Sequence, residues 1–96
     1  MAEEQGGVTD NRTVSRYELP VEGRTAFLDY VRDGKRVVLV HTEVPAEIEG
    51  RGHGTRLVRG VLDLARARGE RVVPRCHFVK SFLKRHPDYA DVVVEQ

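Results

Sequence analysis

Three groups of residues in this chain of 96 have the types and spacing to do chemistry. The first is a run of alternate glycines, Gly50, Gly52 and Gly54, interleaved with Arg51 and His53 and followed by Thr55 and Arg56. Glycine leaves the main chain uncovered, so several peptide N–H groups can converge on one anion where a helix begins, and the helix dipole adds positive potential there. A phosphate-bearing ligand is the natural guest. The run is neither the longer dinucleotide fingerprint nor a P-loop, since no Gly-Lys-Ser/Thr follows, and most glycine-rich stretches taken alone are turns. The second group centres on Cys76, which follows Pro74 and precedes an apolar run of helical period. A helix start, Arg75 and His77 beside it would favour the thiolate, whereas a lone cysteine is commonly a small buried hydrophobe. The third is His41 with Glu43, which alternate along an apolar stretch and so share a face. Either could deprotonate an incoming ammonium; the competing roles are a hydrogen-bonded strand histidine and a surface glutamate.

These groups need elements to hold them. Residues 13–20, 24–33 and 35–44 are β-rich runs, separated by Val21-Glu22-Gly23 and Asp33-Gly34-Lys35, and predict three consecutive antiparallel strands. After Pro45 the period changes. Leu57, Val58, Val61, Leu62 and Ala65 fall on one helical face and Gly69 ends the helix. Arg71-Val72-Val73 then makes a short strand parallel to the third through a right-handed crossover, giving a βαβ unit. A second helix runs from about His77 to Arg85, because Phe78, Val79, Phe82 and Leu83 share a face and Pro87 disfavours helical geometry at His86. Val92–Val94 either adds a brief strand or covers the core. Residues 1–12 carry almost nothing to bury and read as a flexible N-terminal tail, leaving residues 13–96 as a single domain. The fold class is α+β: a mixed, mostly antiparallel sheet with a βαβ unit and two main helices.

Composition narrows the function classes. The 40% apolar and 32% charged fractions are those of an ordinary globular domain, and no apolar run approaches the roughly 20 residues that span a bilayer. The acidic start lacks the basic and apolar stretches of a secretory signal, which predicts a cytoplasmic protein. One cysteine makes neither an internal disulfide nor a zinc site, so no metal is expected. Residues 1–50 hold six Lys/Arg against ten Asp/Glu (−4), and residues 51–96 hold ten against five (+5). That asymmetry suits an anionic partner for the second half, although Arg59, Arg66 and Arg68 can equally solvate a helix exterior. Without an aromatic-rich basic stripe, nucleic acid is a weak option.

The combined spacing of His41-Thr42-x-Val44-Pro45, Gly50-x-Gly52-x-Gly54, Val73-Pro74-x-Cys76 and His86-Pro87-x-Tyr89 resembles the GCN5-related N-acetyltransferases, in particular a small single-domain subgroup with a Val-Pro-x-Cys element. The likeness covers roughly residues 14–94. It departs from the superfamily's Gln/Arg-x-x-Gly-x-Gly/Ala loop at the first position, where Glu49 stands; Arg51 lies two residues on and could supply the charge. The resemblance implies acetyl-CoA lying between two parallel strands that splay apart near Val44 and Val73. Val44 main-chain groups would meet the pantetheine amide, the backbone from Arg51 through Gly52, His53, Gly54 and Thr55, with Arg56, would hold the pyrophosphate, and a main-chain N–H near Val44 would stabilise the carbonyl oxyanion. In that subgroup the cysteine, here Cys76, either accepts the acetyl group before transfer or only shapes the thioester pocket. His41 or Glu43 would serve as base, and Tyr89 as a packing residue or a proton donor to the leaving sulfur. The expectation is an acetyl-CoA-dependent N-acetyltransferase, monomeric or weakly dimeric, acting on a protein lysine, a polyamine or another small amine. A coenzyme A sensor with little turnover is the alternative.

Overall fold

The computed structural model describes residues 4–94. Six strands form one sheet in chain order: β1 (Glu4–Gln5), β2 (Val8–Asn11), β3 (Arg16–Val21), β4 (Arg24–Asp33), β5 (Arg36–Glu43) and β6 (Arg71–Pro74). Pairing is antiparallel from β1 to β5 and parallel between β5 and β6. The crossover between the parallel strands is α1 (His53–Arg68), and α2 (His77–Arg85) follows β6. A 3-10 segment, Pro87–Val92, then returns along α1. Among the described residues no helix is long and apolar enough to cross a membrane.

The apolar face of α1 decides the core. Leu57, Val58, Val61, Leu62, Leu64 and Ala65 are all fully buried, packed on Tyr17, Leu19, Leu28 and Leu39 of the sheet. Val79 and Phe82 of α2 join the same cluster, so both helices cover one face. Gly69 ends α1 with φ 68°, and the Glu70 N–H reaches back to the Ala65 carbonyl, a Schellman stop. Both helices and β6 thus lie where apolar period and punctuation predict them. Val93 bridges to Val72 and the Val94 N–H bonds the Val72 carbonyl, so the last described residues pair with the outer edge of β6. That edge is otherwise blunted by Pro74, which has no N–H to offer.

The first strands correct the sequence reading. Residues 1–12 are predicted as a flexible tail, but from Glu4 onward they form β1, a Gly6-Gly7 turn and β2; residues 1–3 lie outside the described part. Five antiparallel strands therefore stand where three are predicted. The cause is packing and charge that local hydropathy does not reveal. Val8 is fully buried, and a β-carbon on Gly60 of α1 would stand 2.5 Å from Val8 Cγ2 and 2.7 Å from the Gln5 carbonyl oxygen. Only a glycine lets this hairpin lie on the helix. Asp10, with a side chain 1% exposed, accepts hydrogen bonds from Tyr30 Oη (2.6 Å), Arg68 Nη1 (2.8 Å) and Arg32 Nη2 (3.2 Å), tying β2 to β4 and to the last turn of α1.

The β3–β4 turn is also tighter than predicted. Glu22 and Gly23 both take positive φ, 53° and 73°, the two-residue geometry that matches strand twist. Glutamate in that region is strained by roughly 1–2 kcal/mol.

Candidate active site

A bulge in β5 sets the geometry of the site. Tyr30 pairs with Leu39 but Asp29 pairs with His41, leaving Val40 as an extra residue. Before the bulge Val37 and Leu39 face the helices. After it the alternation is reversed: Thr42, opposite Leu28, faces the helices, while His41 and Glu43, opposite Asp29 and Phe27, turn to the other face.

The bulge coincides with the parting of the parallel strands. Their register runs from Arg36↔Arg71 to Leu39↔Pro74 and stops. At that point the Leu39 carbonyl accepts both the Arg75 N–H (3.0 Å) and the Cys76 N–H (2.9 Å), and α2 begins. Beyond Leu39, β5 continues to Glu43 paired only with β4. A cleft therefore opens between the end of β5 and the start of α2.

Cys76 sits at the apex of this cleft as the N-cap residue of α2, 7% exposed, its Sγ 3.1 Å from Thr42 Oγ1. Thr42 is the residue that sequence reasoning misses, because strict alternation points it away from the helices. His41 Nε2 and Glu43 Oε1 are 2.9 Å apart on the uncovered face, both more than half exposed. The structure brings them to each other and to the cleft's far side, and Thr42 rather than either of them to Cys76. Val44 is half-buried against the core margin just past β5. Tyr89 is 4% exposed and donates its hydroxyl to Asp63 on α1 at 2.8 Å. Burial, with Asp63 as acceptor, pushes that phenol above its ordinary range.

The glycine run lies at the start of α1, on the same face as the helices. Gly52 is the N-cap with φ 83°, no side chain caps the helix, and no acidic residue occupies its first turn. The Arg56 N–H already bonds the Gly52 carbonyl, so the amides of His53, Gly54 and Thr55 are the ones without an intrahelical acceptor. Ideal β-carbons at Gly50 and Gly52 would meet nothing within 4 Å, leaving room for a ligand against the backbone. Gly54 serves differently: a β-carbon there would stand 2.8 Å from the Phe78 ring, so its bareness lets the starts of α1 and α2 meet. This pocket of open amides, free volume and absent acids in the first turn fits a diphosphate.

The charged side chains of the run have partners. Arg51 Nη1 and His53 Nε2 both bond the carboxylate of Glu22, the latter at 2.8 Å. The hydrogen bond to His53, aided by Arg51, holds that carboxyl below its ordinary range. Glu22 is thus a resident anion beside an anion site, and a turn glutamate gives no signal of that in sequence. Arg56 turns away: its Nε donates to the Gly6 carbonyl at 3.1 Å, pinning the β1–β2 turn.

Residues 16–92 match the family described as GCN5-related N-acetyltransferases. Over 90 residues the chain is 33% identical to Protein NATD1 of Mus musculus, covering 88% of this chain and 82% of that protein. A 63-residue alignment to Protein NATD1 of Bos taurus is 38% identical and covers 65% of this chain and 56% of that protein. In fold, the chain is similar to a GCN5-like protein of Staphylococcus aureus solved by NMR in solution, with a TM-score of 0.69 at 23% identity over 100% of this chain and 93% of that one.

Proposed function

We propose that this chain, which belongs to the GCN5-related N-acetyltransferase family, transfers the acetyl group of acetyl-CoA to an amine, with Cys76 at the transfer point. One observation carries the reading: a parallel strand pair that stops at Leu39 and Pro74, beside a helix start whose first-turn amides lack any side-chain cap. The family supports an N-acetyltransferase, and the geometry supports the coenzyme. Bound acetyl-CoA supplies an activated acetyl carbon whose bond to the coenzyme sulfur breaks as a new bond forms to the attacking sulfur or nitrogen.

Each chain element has a task. Amides of His53, Gly54 and Thr55 hold the diphosphate, with Arg51 and His53 turning to it from Glu22. Main-chain groups from Val40 to Val44 on the unpaired edge of β5 pair with the pantetheine amides as an added strand would. An amide N–H near Val44 donates to the developing oxyanion. The acceptor approaches from the uncovered face, where the His41–Glu43 pair takes the proton that the ammonium must lose before attack. The Thr42 hydroxyl orients the Cys76 sulfur, which bonds to the acetyl carbon as the coenzyme sulfur leaves and takes up the thiol proton; the amine nitrogen then bonds to that carbon as the Cys76 sulfur leaves and regains a proton.

Intact mass after incubation with acetyl-CoA tests the reading. An acetyl adduct is expected on the wild type, absent from Cys76→Ala and Cys76→Ser, and discharged by added amine. Full activity in Cys76→Ala would remove Cys76 from the path and leave direct transfer to the amine. Calorimetric binding of acetyl-CoA with no turnover on an amine panel would make the protein a coenzyme sensor. Absence of binding by both acetyl-CoA and free coenzyme would end the proposal altogether.

A further inference from the structure

A second concavity, of ≈ 660 Å³, lies between the end of β6 at Val73 and Pro74, the Lys80–Lys84 side of α2 and the 3-10 segment Pro87–Val92. Its floor is apolar, made by Val73, Leu83, Ala90 and Val93. Its rim is basic: Lys80 and Lys84 stand one helical turn apart on α2, and His86 follows at the helix end. Among the described residues no carboxylate lines it. The acid nearest the Ala90–Val93 wall, Asp91, is turned to α1, where its carboxylate binds Arg66 at 2.6 Å. Lys80 and Lys84 form no ion pair among the described residues, so their charge faces whatever fills the groove. At one end the lining reaches Pro74 and Arg75, the two residues that precede Cys76. A ligand lying in the groove therefore ends where β5 and β6 part.

We propose that this groove holds the acetyl acceptor and that the acceptor is a lysine in an acidic peptide segment. The inference rests on the transferase reading and deepens it to a substrate class. A rim of cations spread over more than one helical turn asks for carboxylates spaced along a chain, and the floor asks for an apolar side chain between them. The same rim repels a polyamine or a lysine-rich tail. In the reaction the lysine nitrogen, once deprotonated, bonds to the acetyl carbon as the carbon–sulfur bond breaks. The nitrogen then sheds its extra proton and the sulfur takes one up, giving an N-acetyl-lysine peptide and the coenzyme thiol; passage through Cys76 leaves this balance unchanged.

The test uses a short peptide with one lysine, one leucine and flanking glutamates, beside spermine as the polycation. The wild type should acetylate the peptide in preference to spermine. Joint Lys80→Glu and Lys84→Glu substitution should raise the peptide KM about tenfold while leaving acetyl-CoA affinity as it was. A wild-type preference for spermine, or a peptide KM indifferent to the charge reversal, overturns the inference while leaving the transferase reading intact. Failure of acetyl-CoA to bind in calorimetry strikes the transferase reading instead. Peptide-induced NMR shifts at the Lys80, Lys84 and Ala90 amides, recorded without coenzyme, then still read the groove, and their absence overturns its assignment as the peptide site.

Discussion

Two clusters of opposite charge cap the two ends of α1 with nearly the same residue types and opposite consequences. At the C-terminal end Asp10 receives Arg68 and Arg32, and Arg32 also binds Glu70; the carboxylates are 1% and 6% exposed and the guanidiniums 15% and 23%. At the N-terminal end Glu22 receives Arg51 and His53, with the carboxylate 37%, Arg51 55% and His53 11% exposed. Water has been removed from the first cluster and left around Glu22 and Arg51 of the second. A buried charge that loses its partner is stranded, whereas an exposed one is resolvated. The first cluster is therefore a fastening for β2, and the second is a clasp that another anion can open.

The largest test of that contrast is Asp10→Ala, which strips Arg68 of its carboxylate and leaves Arg32 with Glu70 alone. A loss of about 3 kcal/mol in urea unfolding is expected; a loss no greater than that of an exposed ion pair would erase the distinction. Gly60→Ala attacks the same fastening through sterics, pressing a methyl group into Val8 and the Gln5 carbonyl. It should cost roughly 1–3 kcal/mol and speed hydrogen exchange in β1 and β2 before the rest of the sheet. At the other end, Glu22→Gln should hardly move the melting temperature yet tighten acetyl-CoA binding severalfold, since the competing carboxylate is gone. Added salt should shrink that gain, because Glu22 and Arg51 are exposed. The smallest effect is on pH dependence. In the folded protein the His53 hydrogen bond and Arg51 hold the Glu22 carboxyl below its ordinary value of 4.5, so its contribution to stability is complete above that value and is lost as pH falls through the lowered one. Melting curves of the wild type and Glu22→Gln should therefore differ slightly at neutral pH and converge in acid.

The same contrast explains what was legible in the sequence. Amphipathic period with Gly69 marks the end of α1, and period with Pro87 marks α2 at His77–Arg85, because their cores are apolar and local. The β1–β2 hairpin escapes that logic: its strands are two and four residues long, and a buried aspartate and a helical glycine hold it in place. The glycine run announces a helix start with open amides, yet the division of labour within it is spatial, with Gly54 clearing Phe78 and Arg56 bonding Gly6. Sequence gives His41 and Glu43 a shared face correctly. It does not give which face, since one extra residue at Val40 reverses the alternation and brings Thr42 to Cys76.

Pro74 carries a last consequence. Arg71 and Arg75 spend their N–H groups on β5, so the residues between them that point outward are Val72, whose carbonyl is already taken by Val94, and a proline with no hydrogen to give. A visitor to this border cannot zip on by main-chain pairing, and neither can a second copy of the chain. Selection there falls to side-chain chemistry, and stacking of molecules into fibrils is discouraged by the same ring.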